Sequence, residues 1–134
     1  MGRLVLDSNV LLRSIPRISP YHDLYLSLFD GRNSLCISND IINEYEEVIS
    51  RYATSRIAQS ILEQILNNDN TLLITPYYAF NLIEADPDDN KFIDCAVAGD
   101  AKYIVTDDKH FQILKGIDFP KIDLITLDEI IKII

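Results

Sequence analysis

The sequence predicts an α/β fold, a three-layer α/β/α sandwich around a central parallel sheet of four to five strands. Three observations carry this. Short apolar runs at residues 3–6, 35–37 and 103–105 lack polar alternation, as strands buried on both faces do. Amphipathic stretches of helical period separate them, so strands and helices alternate and the sheet is parallel. Acidic residues, Asp7 and the pair Asp107-Asp108, close two of the strands, at the sheet edge where ligands of such folds collect.

Element by element, residues 3–6 form the first strand and Asp7-Ser8-Asn9 ends it. Val10, Leu11 and Leu12 begin a short helix that stops near Pro16, because a proline ring cannot continue one. Residues 21–29 carry Leu24, Leu28 and two tyrosines at helical spacing, until Gly31-Arg32-Asn33 breaks the pattern. Leu35-Cys36-Ile37 is the second strand. Ser38 and Asn39 offer N-caps to a helix whose apolar residues are Ile41, Ile42, Tyr45, Val48 and Ile49. A further helix over 55–66 ends at Asn67-Asn68-Asp69-Asn70, and residues 72–74 make a third strand. After a loop rich in tyrosine and proline, Asp86-Pro87-Asp88-Asp89 opens the next helix, with Asp86 as N-cap and Pro87 at the first helical position. Tyr103-Ile104-Val105 is the fourth strand, Thr106-Asp107-Asp108 starts another helix, and residues 123–125 supply the fifth strand. Thr126 with Glu129 is a capping box for the last helix. No repeat, low-complexity stretch or linker divides the chain, so residues 1–134 are read as a single domain.

A hydrophobic fraction of 48% and a charged fraction of 25% describe an ordinary globular composition. No apolar run approaches the roughly 18 residues of a membrane span, and Asp7 interrupts the N-terminus too early for a secretory signal. A cytoplasmic protein without membrane contact is expected. Cys36 and Cys95 each stand alone in an apolar segment, as core thiols do. The formal charge of −9 argues against a binder that neutralises nucleic-acid backbone nonspecifically. A nuclease stays open if bound divalent ions cancel the acids locally and contact phosphate themselves.

The acids divide by position. Asp7 reads either as a cap for the segment beginning at Val10 or as a strand-end ligand. On the helix after the second strand, the stripe of Ile41, Tyr45, Val48 and Tyr52 leaves Glu44 and Glu46 on opposite flanks and Glu47 towards solvent. Geometry does not choose between the two flanking acids. Asp86 and Asp88 face the positive end of their helix. Asp89 precedes Phe92, Ile93 and Ala96 at helical intervals and so shares their apolar face. An acid there needs a partner, and a metal ion would supply one. Of Asp107 and Asp108, one is an N-cap, Asp107 by preference, and the other is free for a site. His110 is read as a solvated or packed imidazole with no role. Carboxylates without a matching Cys or His set favour Mg²⁺ or Mn²⁺ over zinc.

In this order, Leu4-Val5-Leu6-Asp7-Ser8-Asn9-Val10, Asn43-Glu44-Tyr45-Glu46-Glu47-Val48, Asp86-Pro87-Asp88-Asp89-Asn90-Lys91-Phe92 and Ile104-Val105-Thr106-Asp107-Asp108 resemble the PIN domain. The closer likeness is to its prokaryotic branch of toxin components of toxin–antitoxin systems, the VapC-like proteins. The resemblance spans nearly the whole chain. It implies a PIN-like fold and a metal-dependent ribonuclease that leaves a 5′-phosphate. It implies Asp7, Glu44, Asp89 and Asp108 as the catalytic and metal-binding acids, and so selects Glu44 over Glu46 by likeness. Asp86, Asp88 and Asp107, with Ser8 and Asn9 as hydrogen-bond donors to a ligand carboxylate, are outer-shell candidates. Asp107 stands where the family has a small or varied residue, which leaves the choice within the Asp107-Asp108 pair open.

The expected reaction is phosphodiester hydrolysis of RNA with Mg²⁺ or Mn²⁺ as Lewis acid, with Arg13, Arg51, Arg56, Lys91 and Lys109 as candidate phosphate contacts. Aspartyl-phosphate chemistry would want an acid two places after Asp7, and that place holds Asn9. The remaining alternative is a catalytically silent PIN-like protein-binding module. An antitoxin could thread a basic residue into the acidic pocket, where an arginine pairs bidentately with carboxylates. Tyr21, Tyr25, Tyr77 and Tyr78 suit core packing or a partner surface, and a homodimer is expected.

Overall fold

The computed structural model describes residues 2–84 and 86–134. Five parallel strands, β1 (Gly2–Leu6), β2 (Asn33–Ile37), β3 (Leu72–Leu73), β4 (Tyr103–Val105) and β5 (Leu124–Ile125), lie in the order β3-β2-β1-β4-β5. Parallel neighbours need crossovers, and helices supply them: α1 (Ser8–Ser14), α2 (His22–Ser27), α3 (Asn39–Tyr52), α4 (Ser55–Leu66), α5 (Asn90–Ala98) and α6 (Leu127–Ile131). The sheet is flanked by these helices, so the predicted fold class holds.

β1 is the central strand and is apolar because both its faces are covered. Leu4, Val5 and Leu6 are fully buried, as are Leu35, Cys36 and Ile37 of β2 and Ile104 and Val105 of β4. The register sets Leu4 beside Leu35 on one side, and Leu6 beside Val105 on the other. Strands β1 and β4 therefore end side by side, and Asp7 and Thr106 emerge together where the strand order reverses. That is the switch point at which open α/β sheets hold ligands. α5 lies against β1, β2 and β4, and α3 packs against α1, α4 and α5. Tyr45 of α3 is fully buried, and its hydroxyl donates to the Leu6 carbonyl at 2.6 Å. α3 is thereby fixed to the end of β1, one residue before Asp7.

Capping behaves as the sequence predicts at α3 and α6, and Thr54, which the sequence reading did not single out, caps α4 in the same way. The hydroxyls of Ser38 and Thr54 accept from Ile41 N and Ile57 N at the starts of α3 and α4, and both halves of the Thr126–Glu129 capping box are present. Gly31 takes φ of 90° in the turn before β2, a backbone open to glycine and strained for other residues. Cys36 and Cys95 are buried free thiols. Among the described residues, no helix is long and apolar enough to cross a membrane.

Several boundaries shift. α1 begins at Ser8 rather than Val10, and β2 starts two residues early, at Asn33. Residues 86–89 form a 3-10 turn, Pro87–Asp89, ahead of α5, with Asp86 at its cap position but without a side-chain cap bond. The segment after β4 is a 3-10 helix, Lys109–Gly116, and its cap is Asp108, not Asp107: the Asp108 side chain accepts from His110 N at 2.9 Å. Asp107 turns elsewhere because Leu127 N and Arg13 offer it donors, at 3.2 and 3.0 Å. Tyr77 and Tyr78 are exposed, whereas Tyr21 and Tyr25 are half-buried against the core.

Candidate metal centre

Two anchors fix Asp7 at the end of β1. Its backbone N–H donates to Val105 O at 3.1 Å, and its Oδ2 accepts the Thr106 hydroxyl at 2.9 Å. Thr106 is itself buried and serves twice, since Oγ1 also accepts Asp108 N at 3.0 Å. One hydroxyl thus positions both strand-end acids. Asp7, Asn9, Val10, Arg13, Asp107 and Asp108 line a common cleft of about 290 Å³.

Glu44 projects from α3 beside this cleft and is fully engaged. Ser8 donates its hydroxyl to Oε2, and Lys91 Nζ stands 2.8 Å from Oε1, with both side chains about four-fifths buried. Glu46, the other flanking acid, is exposed, so helix phase turns Glu44 inward and Glu46 outward.

Asp89 combines burial with a carboxylate oxygen that has no partner among the described residues. The residue is only 8% exposed, and its Oδ2 is buried with no hydrogen-bond partner among the described residues. Burial pushes its carboxyl up to about 7, and the charges of Asp86, Asp7, Asp108 and Glu44 add to the effect. Asp7 is raised to about 6, chiefly by burial, with Asp108 and Glu44 adding and the Thr106 hydrogen bond opposing. Asp7 and Asp89 therefore both feel the charges of Asp108 and Glu44 across the β1–β4 edge. Two carboxyls held this far above their usual range report a pocket with excess negative potential and too little solvent. A divalent cation would relieve both, and an orphaned carboxylate oxygen is the fitting donor for it.

The remaining expected residues fall around this group. Asp86 is half-buried beside Asp89. Asp88 is exposed and, with Lys91 and Glu44, lines a second cleft. Ser8 bonds a carboxylate as expected, whereas Asn9 is exposed on the cleft wall and bonds none among the described residues. Of the basic candidates, Arg13 pairs with Asp107, Arg51 with Glu47 and Lys91 with Glu44. Arg56 and Lys109 form no ion pair among the described residues.

Sequence reasoning missed three residues. Thr106 gave no signal beyond its place before two acids. Asn90 is buried and closes both sides of the 83–90 loop: Oδ1 accepts Ile83 N at 2.8 Å, and Nδ2 donates to the carbonyls of Ile83 and Pro87, both at 3.0 Å. His110, read as bystander, sits with Nδ1 3.5 Å from Asp108 Oδ1 and 4.0 Å from Asp89 Oδ2.

Comparison with known proteins adds the following. The family model described as PIN domain matches residues 3–110. No curated protein sequence matches the chain. Among solved structures, the chain is similar to VapBC2 from Rickettsia felis bound to a DNA fragment from their promoter. The TM-score is 0.64 and the identity 21%, over 92% of this chain and 98% of that one. DNA-bound VapBC from Salmonella typhimurium gives 0.63 and 16%, over 95% and 99% of the two chains. VapBC-1 from nontypeable Haemophilus influenzae gives 0.63 and 13%, over 95% and 99%. At such identities the likeness to these structures is one of fold.

Proposed function

Because the chain belongs to the PIN domain family, we propose that it is a divalent-metal-dependent endoribonuclease and the toxin of a toxin–antitoxin pair. The observation that carries the metal-dependent part is the buried Asp89 oxygen, unpartnered among the described residues, beside Asp7, both carboxyls being raised chiefly by burial and further by neighbouring acids. Asp7, Asp89 and Asp108 would hold Mg²⁺ or Mn²⁺, since oxygen donors suit these hard ions. An ion held there supplies Lewis acidity at the phosphoryl group and lowers the proton affinity of water.

The protein's own groups do the rest. Thr106 holds Asp7 and the Asp108 backbone in one geometry. Glu44, braced by Ser8 and Lys91, presents a fixed carboxylate that orients a water or completes the ligand set. Lys109, exposed and without an ion pair among the described residues, offers positive charge to a phosphate against the overall charge of −9. RNA is the substrate class that the family implies. The fold shared with VapBC assemblies supports an antitoxin partner, and a homodimer across the exposed Tyr77 and Tyr78 belongs to the same proposal.

Calorimetry of the purified chain with Mn²⁺ tests the core of it. Binding that is lost in Asp89→Asn is the expected result. A wild-type chain that takes up no Mn²⁺ and no Mg²⁺ would sink the proposal and favour a silent protein-binding module.

A further inference from the structure

Asp86, Asp89 and His110 reach one point from two segments, the 86–89 turn and the first turn of the 3-10 helix after β4. Each offers a donor atom, and the three atoms lie within 4.8 Å of one another. Asp89 Oδ2, buried and unpartnered, looks towards His110 Nδ1 at 4.0 Å. That is beyond the roughly 3.2 Å at which an N–H satisfies an oxygen, so the imidazole neighbours this atom without bonding it. A cation there would offset the cost of ionising a buried carboxyl that has no partner among the described residues.

The nitrogen changes which ion fits. Carboxylates alone suit Mg²⁺ and Ca²⁺, whereas an imidazole added to them suits zinc and its first-row neighbours. We propose that Asp86, Asp89 and His110 form a site for a divalent transition-metal ion of the Zn²⁺ type, with His110 supplying the nitrogen ligand. Two carboxylates balance the ion's charge, and the neutral imidazole adds none. Zinc bonds to such donors measure about 2.0–2.2 Å. Asp86 is half-buried and the His110 side chain is 44% exposed, so both can rotate to close on an ion that the buried Asp89 holds fixed. Three protein donors leave a coordination position open, the arrangement of zinc sites that do chemistry rather than hold structure. Asp108 Oδ1, 3.5 Å from His110 Nδ1, adds negative potential on the same side. The inference rests on the nuclease reading only in sharing Asp89 with it.

The full chain carries two histidines, which makes imidazole NMR a clean readout. His22 Nδ1 is bonded to Ser14 O at 2.9 Å and serves as internal reference. Titrating the metal-free protein with Zn²⁺ is expected to move one imidazole, the one missing from the His110→Gln spectrum, and to leave the other in place. In calorimetry, His110→Gln and Asp86→Asn each lower Zn²⁺ affinity by about tenfold or more, and His110→Gln leaves Mg²⁺ affinity unchanged. Zn²⁺ uptake with both imidazoles unmoved, or undiminished in both variants, overturns the site. A shifted His110 signal in a protein that cleaves no RNA supports this site while the nuclease reading fails. Cleavage with Mg²⁺ and a silent His110 does the reverse.

Discussion

At the scale of single residues, the chemistry turns on how unequally the carboxylates are satisfied. Glu44 has a donor on each oxygen, Asp107 has Leu127 N and Arg13, and Asp7 has Thr106. Asp89 has none on its buried oxygen among the described residues. This inequality gives a pH dependence of stability with a definite sign. Asp7 and Asp89 bind their protons more tightly in the folded chain, at about 6 and about 7, than at the ordinary 3.8. Their contribution is fully present below the unfolded value and is lost as pH rises through the folded ones. The melting temperature of the metal-free protein should therefore fall between pH 5 and pH 8, and Asp89→Asn should flatten much of that fall. The loss amounts to a few kcal/mol at most, since each tenfold change in proton affinity is about 1.4 kcal/mol. Saturating Mn²⁺ should cancel it. A wild-type melting temperature that climbs steadily from pH 5 to pH 8 in EDTA would contradict the burial of these two groups. Asp89 was legible in advance because an acid on an apolar helical face is a local contradiction. His110 was not, because an exposed imidazole beside Phe111 carries no periodic signal linking it to acids more than twenty residues earlier.

At the scale of elements, the site is assembled by the ends of β1 and β4 and by the turn before α5. The strand ends are fixed by sheet hydrogen bonds, with Asp7 N bound to Val105 O and Thr106 N bound to Ile125 O. Among the described residues, Ile83 and the 86–89 turn lie outside the sheet and are tied to α5 by the Asn90 side chain. Replacing Asn90 with alanine removes three hydrogen bonds and leaves the buried Ile83 N–H without an acceptor. The expected cost is about 1–3 kcal/mol, read as a lower urea midpoint, together with weaker Mn²⁺ binding because Asp86 and Asp89 flank the loosened turn. An unchanged midpoint would show that the loop is held by other contacts. The elements that sequence placed well are those with a strong local signal: the Ser38 cap, the 55–66 helix and the Thr126–Glu129 box. The cap fell to Asp108 rather than Asp107 because each can cap, and distant donors, Arg13 and Leu127, engage Asp107 instead, which no local pattern reveals.

At the scale of the whole molecule, parallel strand order does what composition alone argued against. A chain of net charge −9 is a poor general partner for nucleic acid, yet the reversal of strand order between β1 and β4 gathers Asp7, Thr106 and Asp108 at one edge, with α3 and the 86–89 turn bringing Glu44 and Asp89 to it. On the proposed reading the same carboxylates that repel phosphate would hold a cation, and a bound cation would invert the local potential. Alternating strands and helices made this edge predictable; the side-chain contacts across it, Ser8 to Glu44 and Lys91 to Glu44, were not, since they join residues far apart in the chain. The most direct measurement is cleavage of a mixed RNA pool by the purified protein with Mn²⁺, beside the same reaction in EDTA and with Asp89→Asn. Cleavage that disappears with EDTA and falls by about tenfold or more in the variant, the scale typical of mutations around a metal site, is the expected result. Cleavage that survives both, or none at all from a chain that binds Mn²⁺, would contradict a metal-dependent ribonuclease.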